Sequence, residues 1–303
     1  MTRPNSSVHL VTCAIIACAL GAPALASAQS LIPDGAEARL LRGGFSFIEG
    51  PAADAQGNIY FTDIPENLIY QWSVDGELSV VRKDSGGANG LAFDKDANLL
   101  ACEGSAQRIT SMSPDGTLTV IAERYNGKRL NSPNDLWIDA KDGFYFTDPR
   151  YQGGDDPVPQ GGEHVYYVSP DRATVTRVVD SLKKPNGIMG SLDGKTLYVA
   201  DTTGRTFAFD INDDASVTNE RIFANQGSDG VTLDERGNLY LTWMAGVTVY
   251  SPSGEKLEVI KLPEMPANCG FGGGDGKTLF ITARTGLYAI KMNVRGRPAA
   301  NRP

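Results

Sequence analysis

Histidine is almost absent from this chain of 303 residues: His9 and His164 are its two copies. That scarcity excludes a zinc site built on several imidazoles. It also argues against a serine triad, because His164 is the one histidine left after the leader described below, and no G-x-S-x-G elbow is present. Cysteine is nearly as sparse, with four copies. Cys13 and Cys18 lie in the leader, which leaves Cys102 and Cys269. These two occupy different positions of the repeat set out below, which argues against a disulfide even in an oxidising compartment. Positive charge is also short. Lys and Arg total 28 against 36 Asp and Glu, a formal charge of −8 with no basic run, so nucleic acid is a poor partner. After the leader there is no helical periodicity of useful length.

What is present begins with a targeting segment. Arg3 is the only charge before Ala28, the apolar stretch LVTCAIIACAL runs from Leu10 to Leu20, and Pro23 precedes ALASA. Ala26 and Ala28 fit the small-residue rule for cleavage, predicting a leader over 1–28 and a mature start near Gln29. The apolar run is too short to anchor the chain across a bilayer. Losing 1–28 removes Arg3 alone, so the formal charge moves from −8 to −9. The expected location is periplasmic or secreted, with a lipoprotein anchored through Cys18 as the alternative. Residues 29–303 are expected to form a single domain, as a monomer or weak homo-oligomer.

That domain is a repeat. Six copies share one pattern: IEGPAADAQGNIYFTD (48–63), ANGLAFDKDANLLACE (88–103), PNDLWIDAKDGFYFTD (133–148), PNGIMGSLDGKTLYVAD (185–201), SDGVTLDERGNLYLTW (228–243) and ANCGFGGGDGKTLFIT (267–282). Each has a polar residue, a short apolar strand, a Gly/Asp/Asn turn and a stronger alternating strand. Behind most copies follow two more strand-like runs, such as HVYYVS and TVTRVVD. Four short strands recurring about every 44 residues predict the blades of an all-β, six-bladed propeller. The sixth copy has three strands, the last being GLYAIKMNV, and EARLLRGG at the other end is unmatched. The N-terminal strand is therefore expected to complete the last blade and remove an exposed edge.

The residues leading the copies are Glu49, Asn89, Asn134, Asn186, Asp229 and Asn268. In a propeller, equivalent starts of the innermost strands form one ring at one mouth of the channel. Turn chemistry would account for Asn89, Asn186 and Asp229 singly, since Asn-Gly and Asp-Gly favour tight turns. It does not account for Glu49 or for Asn134 followed by Asp135, and each copy has its own turn farther along. An oxygen-only ring with two acids suits a hard cation such as Ca²⁺. Such an ion polarises a carbonyl or phosphoryl oxygen and activates water.

The motifs EGP (49–51), GKRLNSPNDL (127–136), FTDP (146–149), PNG (185–187), DG (229–230) and LFIT (279–282) resemble the senescence marker protein (regucalcin)/gluconolactonase family over essentially the whole mature chain. The likeness is closest to bacterial gluconolactonase-like members. It implies Glu49, Asn186 and Asp229 as the protein ligands of a divalent metal, Ca²⁺ or another ion such as Zn²⁺, Mn²⁺ or Mg²⁺. It implies Asn134 as a further ligand or substrate contact, Asp229 as general base, and hydrolysis of sugar lactones such as glucono-1,5-lactone, with small aliphatic lactones as the other expected substrates. One departure stands out: some members carry His after the Cys-Glu of the second blade, where this chain has Gly104.

Chain geometry adds further candidates. Second strands should end at the same mouth, so Asp63, Glu103, Asp148, Asp201, Trp243 and Arg284 are expected on its rim, with Glu103 and Asp148 as candidate substrate contacts. Arg129 and Asn131, just ahead of Asn134, are two more. The insertion PRYQGGDDPVPQGGE (149–163) is expected to hang over the mouth as a lid. His164 is expected to open an outer strand. The same metal site would serve a phosphotriesterase or fluorophosphatase, and a non-catalytic binding propeller is the alternative from another class.

Overall fold

A computed structural model describes residues 1–2, 30–151, 157–244 and 246–297. The leader expected over 1–28 lies outside the described residues apart from Met1 and Thr2. Among the described residues every named element is a strand, and no helix is long and apolar enough to cross a membrane.

Six four-stranded antiparallel sheets follow one another along the chain. The innermost strands are Ile48–Ala53, Ala88–Phe93, Leu136–Ile138, Pro185–Gly190, Val231–Leu233 and Asn268–Gly272, and those of neighbouring blades touch. Second strands are packed on both faces and carry unbroken burial, as in Leu99–Glu103 and Phe144–Asp148. Fourth strands such as Lys256–Lys261 are mostly exposed and alternate with charge. Ring closure follows the sequence expectation. Arg39–Gly43 pairs antiparallel with Gly286–Lys291, the third strand of the last blade, so the two ends of the propeller share one sheet.

Three recurring devices fix the inner ring. The first is a threonine near the end of the second strand. Thr62 donates to Asn89 O (3.1 Å), Thr147 to Asn186 O (2.7 Å) and Thr242 to Ala267 O (2.7 Å), so each latches its blade to the start of the next. The second is an aspartate in the turn between the first two strands, at the opposite face. Asp54, Asp94 and Asp234 each accept the backbone N–H groups two and four residues on. The third is glycine directly after a ring residue. A Cβ at Gly50, Gly187 or Gly230 would lie well inside contact with the backbone or side chain of Asn89, Asp229 or Asn268 in the following blade. Gly187 and Gly230 have ordinary φ values. Their pairing with Asn and Asp therefore reflects close approach around the axis, not the tight turn that the dipeptides suggest.

Candidate active site

The innermost strands bring Glu49, Asn89, Asn134, Asn186 and Asp229 to the wall and floor of one cavity of about 380 Å³. Glu49, Asn134 and Asn186 are buried. Asp229 is surrounded by protein on most sides and keeps part of its surface open to the cavity. The sixth ring member, Asn268, has turned inward. Its Oδ1 accepts from Cys269 N (2.8 Å), and its amide lies within hydrogen-bonding reach of Glu49 and Asp135.

The hydrogen bonds decide which oxygens face the cavity. Asn186 Nδ2 donates to Asp229 Oδ1 (2.8 Å) and to Tyr151 Oη (2.8 Å), so both amide hydrogens are used. Its carbonyl Oδ1 is left without a protein partner among the described residues, as is Asp229 Oδ2. Glu49 Oε2 accepts from Gly50 N (2.8 Å). The Asn134 side chain lines the cavity, and among the described residues it makes no hydrogen bond.

The acids repel each other in a dry place. Burial first, and then the charge of Asp229, pushes the Glu49 carboxyl well above its ordinary range. Burial raises Asp229 to about 6, against opposing contributions from Asn186 and Arg284. Asp135, just inside the ring, is raised by burial to about 7. Such a cluster favours either protons or a cation. Among the described residues no group of three or more His, Cys, Asp or Glu side chains is arranged to hold a metal ion. The donor set is instead mixed. Two carboxylates and two amide carbonyls, with open oxygens on Asn186 and Asp229, match the chemistry of a hard divalent ion and offer nothing to a thiophilic one.

Four residues expected at the substrate turn elsewhere. Glu103 is buried against Arg82 (2.5 Å) and Arg108 (2.6 Å) and accepts from Thr110 (2.6 Å), which makes it the centre of an internal ion cluster. Asp148 bends back to cap the loop ahead of its own ring residue, accepting from Asn131 N and Ser132 N at 2.8 Å each. Asn131 donates to Asp148 O and Gly162 O at 2.9 Å and accepts from Gln160 N at 3.2 Å, which ties down the insertion. Arg129 is exposed and donates to Ala106 O (2.9 Å). None of the four lines the cavity.

Asp63 and Asp201 repeat the capping role at the same offset. Asp63 accepts from Ser46 N and Phe47 N, and Asp201 from Lys183 N and Lys184 N. Of the expected rim, Trp243 does line the cavity. His164 opens the third strand of its blade, His164–Val168, with Arg177 as its neighbour. Cys102 and Cys269 are buried and unpaired.

Two functional candidates were not singled out from sequence. Tyr151 is the first described part of the insertion to reach the cavity, and burial raises its hydroxyl to about 12, so it stays protonated beside Asn186. Asp135 is the other; its place immediately after Asn134, where four of the other five copies have Gly, was its only signal. Residues 152–156 of the expected lid lie outside the described residues, while Gln160 binds the carbonyls of Lys128 (3.0 Å) and Arg129 (2.7 Å). Gly104 also lines the cavity, but a Cβ there would lie 2.8 Å from Ser132 Oγ, so the histidine of some family members would fit only with Ser132 displaced.

The sequence profile of the SMP-30/Gluconolactonase/LRE-like region matches residues 47–285. The gluconolactonase of Zymomonas mobilis is 29% identical over 283 residues, covering 82% of this chain and 79% of that protein. A solved gluconolactonase of Xanthomonas campestris, described as important in glucose secondary metabolic pathways, superposes with a TM-score of 0.79 at 31% identity, covering 85% of this chain and 90% of the other. A calcium-binding regucalcin of Agrobacterium tumefaciens shares the fold at a TM-score of 0.72 and 21% identity, over 87% and 96% of the two chains. With its profile match spanning nearly the whole propeller and its ring at one mouth, the chain belongs to the SMP-30/gluconolactonase/LRE-like family.

Proposed function

We propose that the protein is a divalent-cation-dependent lactonase, with Ca²⁺ as the first candidate ion and sugar lactones such as glucono-1,5-lactone as reference substrates. The observation that carries this reading is the floor of the cavity. Glu49, Asn134, Asn186 and Asp229 converge there, with burial raising the proton affinity of both acids. Gluconolactonase relatives and the calcium-binding regucalcin neighbour support the reaction and the ion. Glu49, Asn186 and Asp229 would hold the cation, with Asn134 beside it. When bound, the ion supplies polarisation of the lactone carbonyl and acidification of water.

The chain's own residues do the rest. Asp229 Oδ2 faces the cavity and takes the proton of a water that adds to the carbonyl carbon. The ring C–O bond then breaks, the proton returns to the departing ring oxygen, and the open-chain hydroxy acid leaves. Asn134 offers a free amide to the substrate, and Tyr151 keeps Asn186 in the rotamer that presents its carbonyl. The leader over 1–28 would deliver the protein by export, which sequencing of the mature N-terminus checks.

Hydrolysis followed by pH-stat tests the reading. Stripping with chelator should abolish turnover of glucono-1,5-lactone above the spontaneous rate, and Ca²⁺ should restore it. Full activity in the stripped protein would overturn it.

A further inference from the structure

The cavity has two unlike sides. Blades two to four contribute Asn89, Ser132, Asn134 and Thr202, together with Gly104. Blades five, six and one contribute Phe47, Ile64, Trp243, Met265 and Pro266. Thr242 lies on that second side too, but its hydroxyl is committed to the backbone of Gly230 and Ala267. Above Glu49 and Asp229, then, one half of the wall is mostly apolar, and its one side-chain N–H or O–H without a hydrogen-bond partner among the described residues is the Trp243 indole N–H. Met265 is 37% exposed and stands at the opening.

A buried hydroxyl facing that half would exchange its water for at most the Trp243 indole N–H, whereas an alkyl or aryl group would be removed from water at a gain. Sites that hydrogen-bond each substrate hydroxyl discriminate strongly for it, and a site lacking the partners discriminates against it. With the carbonyl fixed at the floor, the substituent on the carbon next to the ring oxygen is the part free to lie along the wall.

Resting on the lactonase reading, we propose that the preferred substrates are lactones with an apolar substituent beside the ring oxygen. Trp243 and Met265 set this preference over polyhydroxylated lactones of the same ring size. The polar half still accommodates one hydroxylated edge, so glucono-1,5-lactone remains a substrate but not the best one.

The test compares δ-decalactone with glucono-1,5-lactone, both six-membered rings with one carbon substituent at that position, on the full-length Ca²⁺-loaded protein. kcat/KM should favour δ-decalactone by roughly tenfold or more, about the worth of two buried methylenes. Trp243→Ala and Met265→Ser should each cut that ratio by about fivefold, and Trp243→Phe should keep most of it. Calorimetry with two inert lactams separates this idea from the reaction itself. The 6-pentyl piperidinone should bind tighter than glucono-δ-lactam, and the difference should shrink in the same variants. Tighter binding of the hydroxylated lactam, or a ratio that both variants leave unchanged, overturns the proposal even if lactones are hydrolysed. Tighter binding of the pentyl lactam with no lactone hydrolysed upholds the preference and overturns the lactonase reading.

Discussion

Two sets of acids stand at the same mouth of this propeller and aim their oxygens at different targets. Asp63, Asp148 and Asp201 end second strands, and each turns its oxygens onto backbone N–H groups of its own blade. Glu49 and Asp229 begin first strands and keep oxygen facing a cavity. In the first set, burial is met by donors, enough to outweigh it at Asp201 but not at the more deeply buried Asp148, which burial still raises to about 7. Asp201, which also accepts from the Thr203 backbone and hydroxyl, is held below its ordinary value despite burial. In the second set, donors fall short of offsetting burial and the proton affinity of both rises, with the charge of Asp229 adding to the rise at Glu49. The distinction lies in how many donors reach each carboxylate, set against how deeply it is buried.

The comparison breaks most sharply by mutation. Asp229→Asn keeps volume and an oxygen, and at saturating Ca²⁺ kcat should fall by about 10²–10⁴, the usual loss for a general base. Its folding stability should hold. Asp148→Asn should do the reverse, lowering stability by roughly 1–3 kcal/mol by urea denaturation, because one of its two N–H partners loses an acceptor. Its turnover per folded molecule should stay near wild type. Equal kcat losses in both variants would erase the distinction.

Binding sharpens it next. Ca²⁺ at ~100 times Kd should add about 2.7 kcal/mol to stability by mass action. Glu49→Gln should remove most of that gain, and Asp201→Asn, whatever its own stability, should retain it. Thermal shifts with and without Ca²⁺ read both.

The pH dependence of the metal-free protein is a smaller effect with a definite sign. Carboxyls raised in the folded state favour its protonated form. Their contribution is therefore present below their unfolded value near 4 and lost as pH rises through the folded values. Those values are about 6 for Asp229 and about 7 for Asp135 and Asp148. Stability in chelator should fall between about pH 4 and 7, and Ca²⁺ should flatten that slope. Asp201, being lowered, gives the opposite sign: its contribution is lost as pH falls below about 4. Denaturation midpoints across that range with and without chelator would show both signs.

The smallest expected effect is at Tyr151. Tyr151→Phe removes the acceptor of one Asn186 hydrogen, costing Ca²⁺ affinity about 0.5–1.5 kcal/mol by titration while kcat at saturation changes little.

Much of the fold was legible because the repeat announces itself. Alternating strands, a turn and a leading polar residue recur six times, and the unmatched N-terminal strand found its place beside Gly286–Lys291. The ring was legible for the same reason, since equivalent positions of a repeat must meet at the axis. The second-strand acids were misread because chain direction places Glu103 and Asp148 at the right mouth, while their targets are loop N–H groups or arginines brought in from other strands. Arg129 and Asn131 failed similarly: nearness in sequence to Asn134 says nothing about which way a hairpin turns. The apolar half of the cavity left little trace, because Trp243 and Met265 look like ordinary hydrophobic residues until three blades bring them side by side.

The glycines that follow ring residues have a consequence for redesign. Because Gly50 and Gly187 let neighbouring blades touch through backbone, the leading side chains there project from a frame that their own identity does little to shape, whereas Gly230 packs on the Asn268 side chain itself. They act as addressable slots on a rigid dial. A library that varies Asn89 and Asn134 over acids and amides, with the glycines untouched, would step the charge at the mouth one unit at a time. Selecting that library against a panel of ions would turn the propeller into a ruler for how many anions each ion demands.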